Sequence, residues 1–99
     1  MPAYMIVYAS IKDRDKFLQG YAPVASRLVE KFGGKYLVRA QGGDVLEGSL
    51  KPGMSVVISE WPDKQSILDF WNSTEYQAAK QLREGVADCE VTIIETPGS

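Results

Sequence analysis

The sequence contains no histidine and a single cysteine, Cys89. Without histidine, the chain itself supplies no Ser-His-Asp or Cys-His relay, no His-ligated haem and no His-based zinc site. One cysteine forms no intrachain disulfide, and no basic motif lies beside Cys89, which favours an inert thiol. Acid-base chemistry would fall to carboxylates, tyrosines, lysines, Cys89 or a bound cofactor. We expect neither a metal nor a cofactor.

The sequence also has no long apolar run and no cluster of basic residues. Its apolar N-terminal stretch, residues 3–9, is far shorter than a membrane-spanning helix, and no charged region precedes it as in a signal peptide. A net charge of -2 without a run of Lys or Arg argues against a nucleic-acid binder. We therefore expect no membrane partner, no nucleic-acid partner and a location in the reducing cytoplasm.

The composition is typical of one small globular domain, and we expect residues 1–99 to form it. Hydrophobic residues make up 44% of the chain and charged residues 24%, which argues against disorder and coiled coil. β-Branched and aromatic residues predict four strands, at residues 3–9, 35–41, 54–61 and 89–95. In the second strand, alternation places Tyr36, Val38 and Ala40 on one face and Leu37, Arg39 and Gln41 on the other.

Two helical regions lie between these strands. The first has Asp13 or Asp15 as its N-cap and ends at the glycine pair, residues 33–34. Because Pro23 disfavours helical geometry at the residue before it, we expect a kink or a break near residues 21–22.

The second helical region begins after Asp63, its predicted N-cap, and is interrupted at "NSTEYQ". Thr74 and Gln77 have the spacing of a capping box, in which each side chain satisfies the other's backbone donor. We expect Ser73 or Thr74 to cap the second piece.

The order of these elements predicts an α+β fold, the ferredoxin-like βαββαβ plan, in which a four-stranded antiparallel sheet carries both helical regions on one face. The first strand is nevertheless apolar on both faces, with Tyr4, Ile6 and Tyr8 opposite Met5, Val7 and Ala9. Soluble monomers rarely expose a large apolar face. We therefore expect a homodimer in which the two sheets pack against each other.

Several stretches of the sequence resemble the family known as domain of unknown function 1330: residues 31–42 (KFGGKYLVRAQG), 45–48 (VLEG), 56–63 (VVISEWPD) and 70–84 (FWNSTEYQAAKQLRE). The resemblance covers nearly the whole chain. It implies a dimeric α+β barrel, the superfamily to which these small bacterial proteins belong. It implies no particular reaction, because the family has no established one, while the wider superfamily includes small monooxygenases and lactone-forming or isomerising enzymes.

Arg83 lies on the inward face of the last predicted helix, since Tyr76, Ala79 and Arg83 recur at helical spacing. Two interpretations are open. The cation would interact with the carbonyl end of the helix dipole while its stem covers apolar surface. Alternatively, it would turn inward at a pocket mouth and donate hydrogen bonds to a carboxylate or an enolate.

Arg39 lies in the middle of a predicted strand, where a buried guanidinium needs a partner. We expect an ion pair with Glu47 or Glu60. The alternative is that Arg39 anchors an anionic ligand while a carboxylate orients it.

Trp71 and Tyr76 flank the predicted helix interruption. Aromatic residues at such a place are typical of core or lid packing. Their alternative role is a flat wall for an aromatic or enone-like substrate, with the Tyr76 hydroxyl donating to a carbonyl.

Two functions follow from these candidates. The first is a pocket between sheet and helices for an anionic or carbonyl-bearing metabolite. A cofactor-independent enzyme built on it would use Arg39 and Arg83 to stabilise an oxyanion, with a glutamate, residue 47 or 60, as base. The second is a non-catalytic dimer that binds a metabolite or a partner protein.

Overall fold

Four strands form one antiparallel sheet in the order β2-β3-β1-β4. Strand β1 spans Ala3–Ile11, β2 spans Lys35–Ala40, β3 spans Ser55–Trp61 and β4 spans Ala87–Glu95. The structure is a computed structural model in which residues 1–97 are described. Helices lie between β1 and β2 and between β3 and β4, which confirms the predicted α+β ferredoxin-like fold.

The first helical region is continuous but changes its pitch. Helix α1 (Arg14–Lys16) leads into a π-helical turn (Phe17–Tyr21), and helix α2 (Ala22–Lys31) follows. Asp13 caps α1 as expected, accepting a hydrogen bond from the backbone N–H of Lys16 at 3.1 Å. The π turn ends two residues before Pro23, whose ring would clash with a carbonyl of the preceding turn in a regular α-helix. The irregularity expected here is therefore a widened turn, not a break.

The glycine pair after α2 ends the helix, as predicted. Gly33 has a positive φ of 98°, and its amide donates to the carbonyl of Glu30 at 3.1 Å. At Gly34, a Cβ atom would lie 2.7 Å from ring carbons of Trp61. Only glycine therefore lets the Trp61 indole pack this closely against the chain at the end of α2.

The second helical region is interrupted at Ser73, which confirms the expected break. Helix α3 (Lys64–Asn72) ends there, and helix α4 (Thr74–Lys80) begins and passes into a 3₁₀ turn (Gln81–Arg83). Ser73 is extended, and its Oγ accepts a hydrogen bond from the Tyr76 N–H at 3.0 Å. Asp63 caps α3 through the backbone N–H of Ser66 at 2.8 Å.

The predicted capping box between Thr74 and Gln77 is wrong. Ser73 already occupies the N-cap, so Thr74 is the first residue inside the helix. The Gln77 side chain instead donates to the Trp71 carbonyl at 2.6 Å. One of the carbonyls left free at the end of α3 thereby gains a hydrogen bond.

A β-bulge in β2 changes which side chains face the helices. Tyr36 pairs with Ser59 of β3 and Val38 pairs with Ile58, so Leu37 is an extra residue. The bulge places Tyr36 and Arg39 on the same, helix-facing side of the sheet. The predicted alternation, with Tyr36 and Val38 on one face, is therefore wrong.

The hydrophobic core lies between the sheet and the helices, and its buried members are Ala3, Met5, Leu28, Val29, Trp61, Ile67, Phe70, Tyr76 and Ala79. No described helix covers the opposite side of the sheet, which we call the open face. Its central residues Tyr4, Ile6, Tyr8, Val56 and Ile58 are each partly exposed. None of the helices within residues 1–97 is long and apolar enough to cross a membrane.

Because Ser73 caps α4, the substitution Ser73→Ala should lower the free energy of unfolding by about 1 kcal/mol. Urea denaturation followed by circular dichroism measures the change. The control is Thr74→Ala, one residue along the chain, for which we expect a change within about 0.5 kcal/mol. A larger loss from Thr74→Ala than from Ser73→Ala would contradict this assignment of the cap.

Candidate functional site

A cleft with a volume of about 200 Å³ opens between the sheet and the helices. Its walls come from the four strands on one side and from α1, the π turn, α2, α3, α4 and the 3₁₀ turn on the other. Most of its lining is apolar or aromatic, including Met5, Val7, Phe17, Tyr21, Tyr36, Val57, Trp71, Tyr76 and Val91. Such a surface fits a largely apolar molecule.

The charged residues that line the cleft are all arginines. Arg14 and Arg39 are exposed, whereas Arg83 is only 9% exposed. Within the described part of the chain, no Asp or Glu lines the cleft. In a chain with a net charge of -2, the described lining of this cleft therefore has three positive groups and no negative one.

Arg83 extends inward from the 3₁₀ turn and brings its guanidinium under the helical layer. Its central carbon lies 5.6 Å from the centre of the Tyr21 ring. Among residues 1–97, no carboxylate forms an ion pair with Arg83, and its buried Nε has no hydrogen-bond partner. Burial acts to lower the pKa of Arg83, but the Coulombic effects of Tyr76, Cys89 and Tyr21, together with a side-chain hydrogen bond to Cys89, outweigh it and raise that pKa. The guanidinium is therefore charged and incompletely hydrogen-bonded.

Two tyrosine hydroxyls meet beside Arg83. The Oη atoms of Tyr21 and Tyr76 are 2.8 Å apart, and either one can be the donor. Tyr21 comes from the π turn and Tyr76 from α4, so the hydrogen bond joins the two helical regions. Burial, followed by the proximity of Tyr76, raises the pKa of Tyr21. Tyr21 therefore stays protonated at neutral pH.

Arg39 reaches the cleft because the bulge in β2 turns it toward the helices. Its guanidinium carbon lies 4.3 Å from the centre of the Tyr36 ring. The predicted ion pair with Glu47 or Glu60 is wrong: no carboxylate pairs with Arg39 in the described residues. Since Arg39 is exposed, water solvates its charge and no partner is needed.

The two glutamates lie away from the cleft. Glu60 is on the open face, where its Oε2 accepts a hydrogen bond from the Tyr4 hydroxyl at 3.0 Å. Glu47 is exposed in the loop between β2 and β3. Neither is in a position to act as a base for a molecule in the cleft.

Trp71 and Tyr76 take part in both core packing and the cleft wall. Their ring centres are 5.1 Å apart, and Tyr76 also packs against Phe70 at 4.4 Å. Tyr76 is only 2% exposed. Four of the six candidate residues thus line one cleft: Arg39, Trp71, Tyr76 and Arg83.

Arg14, Tyr21 and Tyr36 also line the cleft and were not among the candidates predicted from the sequence. Tyr21 lies at helical spacing from Phe17, a pattern that indicates burial but not a hydroxyl pair. Cys89 also lines the cleft and is a free, half-buried thiol. Within residues 1–97, no group of three His, Cys, Asp or Glu side chains is placed to hold a metal ion.

Solved structures with the same fold include proteins of different descriptions. A protein of unknown function from Rhodopseudomonas palustris has a TM-score of 0.76 at 16% identity, covering 99% of this chain and 84% of its own. A dimeric ferredoxin-like protein of unknown function from a Jannaschia species has a TM-score of 0.74 at 12% identity, covering 97% of this chain and 100% of its own.

SnoaB, a cofactor-independent oxygenase from Streptomyces nogalater, has a TM-score of 0.69 at 11% identity, covering 99% of this chain and 95% of its own. These identities are low, so the likeness concerns the fold alone. No curated protein matches the sequence.

The sequence family gives a more direct relationship. The family described as "Domain of unknown function (DUF1330)" matches residues 2–97, almost the full length of the chain. The match confirms the resemblance found in the sequence stretches around β2, β3 and α4. The chain therefore belongs to the DUF1330 family.

Proposed function

We propose that the cleft binds a small anionic molecule with an apolar body. The observation that carries this proposal is the lining itself, in which three arginines and no described carboxylate accompany apolar and aromatic side chains. Burying Arg83 without a carboxylate costs free energy, because the guanidinium loses water and gains no opposite charge. A bound anion would supply that charge.

Binding without catalysis is the form of this function that the cleft supports best. Arginine and tyrosine can stabilise an oxyanion, but the glutamates considered as bases, Glu47 and Glu60, lie elsewhere. A cofactor-independent enzyme is the second candidate, because one structural neighbour has that description. Such an enzyme would need a substrate that loses its proton without a carboxylate base.

We also propose that two chains pair through the open face, in the cytoplasm. The partly exposed side chains of Tyr4, Ile6, Tyr8, Val56 and Ile58 form a continuous apolar surface across β1 and β3. A structural neighbour is described as dimeric. Since the cleft lies on the other side of the sheet, this pairing would leave it accessible.

The anion-binding proposal predicts that 2-naphthoate binds the protein more tightly than 2-naphthamide, which has the same shape without the charge. Isothermal titration calorimetry measures both affinities. Arg83→Gln should weaken 2-naphthoate binding about 10- to 100-fold, the usual effect of losing a charged hydrogen bond. The control is Arg27→Gln, an exposed arginine of α2 that does not line the cleft. Equal affinities for the two compounds would contradict the proposal.

If Arg83 serves binding and not folding, Arg83→Met should leave the free energy of unfolding unchanged or raise it by about 1 kcal/mol. Methionine fills much of the same space and removes a buried charge that has no carboxylate partner. Urea denaturation without ligand measures the change. A loss of more than about 1 kcal/mol would support the other interpretation, in which Arg83 stabilises the end of α4.

Sedimentation equilibrium at micromolar concentration should give about twice the mass of one chain. Ile6→Glu places a charge at the centre of the open face and should produce a monomer. The control Glu95→Lys changes a charge at the end of β4 and should leave the dimer intact. A wild-type mass equal to that of one chain would rule out this pairing.

A further inference from the structure

The inner end of the cleft contains more hydrogen-bond donors than acceptors. Tyr21 and Tyr76 together have two hydroxyl protons, and only one of them is used in the hydrogen bond between the two oxygens. Within residues 1–97, neither hydroxyl has another partner. The buried N–H of Arg83 at Nε is free as well. One tyrosine O–H and the Arg83 guanidinium, whose carbon lies 5.6 Å from the centre of the Tyr21 ring, therefore lack an acceptor with negative charge within the described residues.

These free donors lie in a largely dehydrated environment. Tyr76 is 2% exposed and Arg83 9% exposed. Buried donors without acceptors cost free energy of folding, so they are uncommon unless a ligand or a water molecule accepts their hydrogen bonds. Because the guanidinium is charged and Tyr21 stays protonated, the missing partner is an acceptor that carries negative charge.

We propose that Tyr21, Tyr76 and Arg83 form an oxyanion site that binds the ionised oxygen of a phenol or an enol. This inference rests on the proposed function and assigns both the ligand class and its orientation. The oxygen lies at the inner end, against the hydroxyl pair and the Arg83 guanidinium. The ring or conjugated body lies against the aromatic wall and points toward the cleft mouth, near Arg14 and Arg39.

The donor geometry favours a single oxygen over a carboxylate. A carboxylate is bound best by two parallel N–H groups of one guanidinium. Here the tyrosine pair adds one hydroxyl donor to those of the Arg83 guanidinium, which lies 5.6 Å from the Tyr21 ring centre. Two donors from separate groups suit one oxygen atom that accepts both hydrogen bonds.

The backbone supports the same assignment. Tyr21 is the last residue of the π-helical turn, and π-helical turns occur frequently at functional sites.

The rings of Trp71 and Tyr76, tilted by 38° to each other, provide a surface for a flat ligand. Flat, conjugated phenolates and enolates fit this wall better than a flexible acid.

The test uses 4-nitrophenol, whose ionised form has its own absorption band. A pH titration of the bound compound measures its pKa. We expect the wild-type protein to lower that pKa by about one unit, which corresponds to about tenfold tighter binding of the phenolate than of the phenol.

Tyr21→Phe, Tyr76→Phe and Arg83→Lys should each remove at least half of that shift. Both tyrosine variants keep the ring and hence its packing. Tyr8→Phe, on the open face, is the control and should keep the full shift.

The outcomes separate this inference from the proposed function. Loss of the pKa shift in the three cleft variants supports the oxyanion site. If 4-nitrophenol binds but the tyrosine variants keep the full shift, the oxyanion site is wrong and the anion-binding cleft stands. If 2-naphthoate binds and 4-nitrophenol does not, the assigned ligand class is wrong. If neither compound binds, both proposals fail.

Discussion

Contacts among aromatic rings hold the helices on the sheet, and both the fold and the cleft depend on them. Phe70 lies at their centre, with ring centres 5.2 Å from Trp61, 4.4 Å from Tyr76 and 6.2 Å from Phe32. Tyr76 extends these contacts to Tyr21 in the π turn. Because the Tyr76 ring packs in the core and its hydroxyl is hydrogen-bonded to Tyr21, packing fixes the position of a polar group. The site therefore needs no ligand to order its inner end.

The cleft combines this rigid wall with polar groups that the fold leaves incompletely satisfied. Most buried polar atoms in proteins have a partner, so an exception calls for an explanation. Arg83 is such an exception, since it is buried with a free Nε and without a described carboxylate. A group that weakens folding but suits a ligand is common in functional sites, where stability is exchanged for binding. Pairing of two chains through the open face would leave this arrangement untouched.

The sequence was sufficient for the fold because its signals are local. Strand composition, the glycines after α2 and the cap at Ser73 each act within a few residues, and their order determines the topology. The site was only partly predictable because its arrangement is not local. The bulge at Leu37 decides which way Arg39 points, and nothing in the sequence marks it. The position of Glu60 away from the cleft is, in contrast, a local property, since strand alternation puts it on the face opposite that of Trp61.

The close contact with Gly34 keeps Trp61 buried in the core, whereas Trp71 lies in the cleft wall. The two tryptophans can therefore serve as separate fluorophores. Trp61 is 1% exposed, touches the chain at Gly34 and donates its indole N–H to the Ser59 hydroxyl at 2.9 Å. Its emission should respond to unfolding and hardly to anything in the cleft. Trp71 is partly exposed in the cleft wall, with the Lys80 ammonium 4.8 Å from its ring centre. One intrinsic chromophore thus reports on the integrity of the fold, and the other reports on occupancy of the cleft.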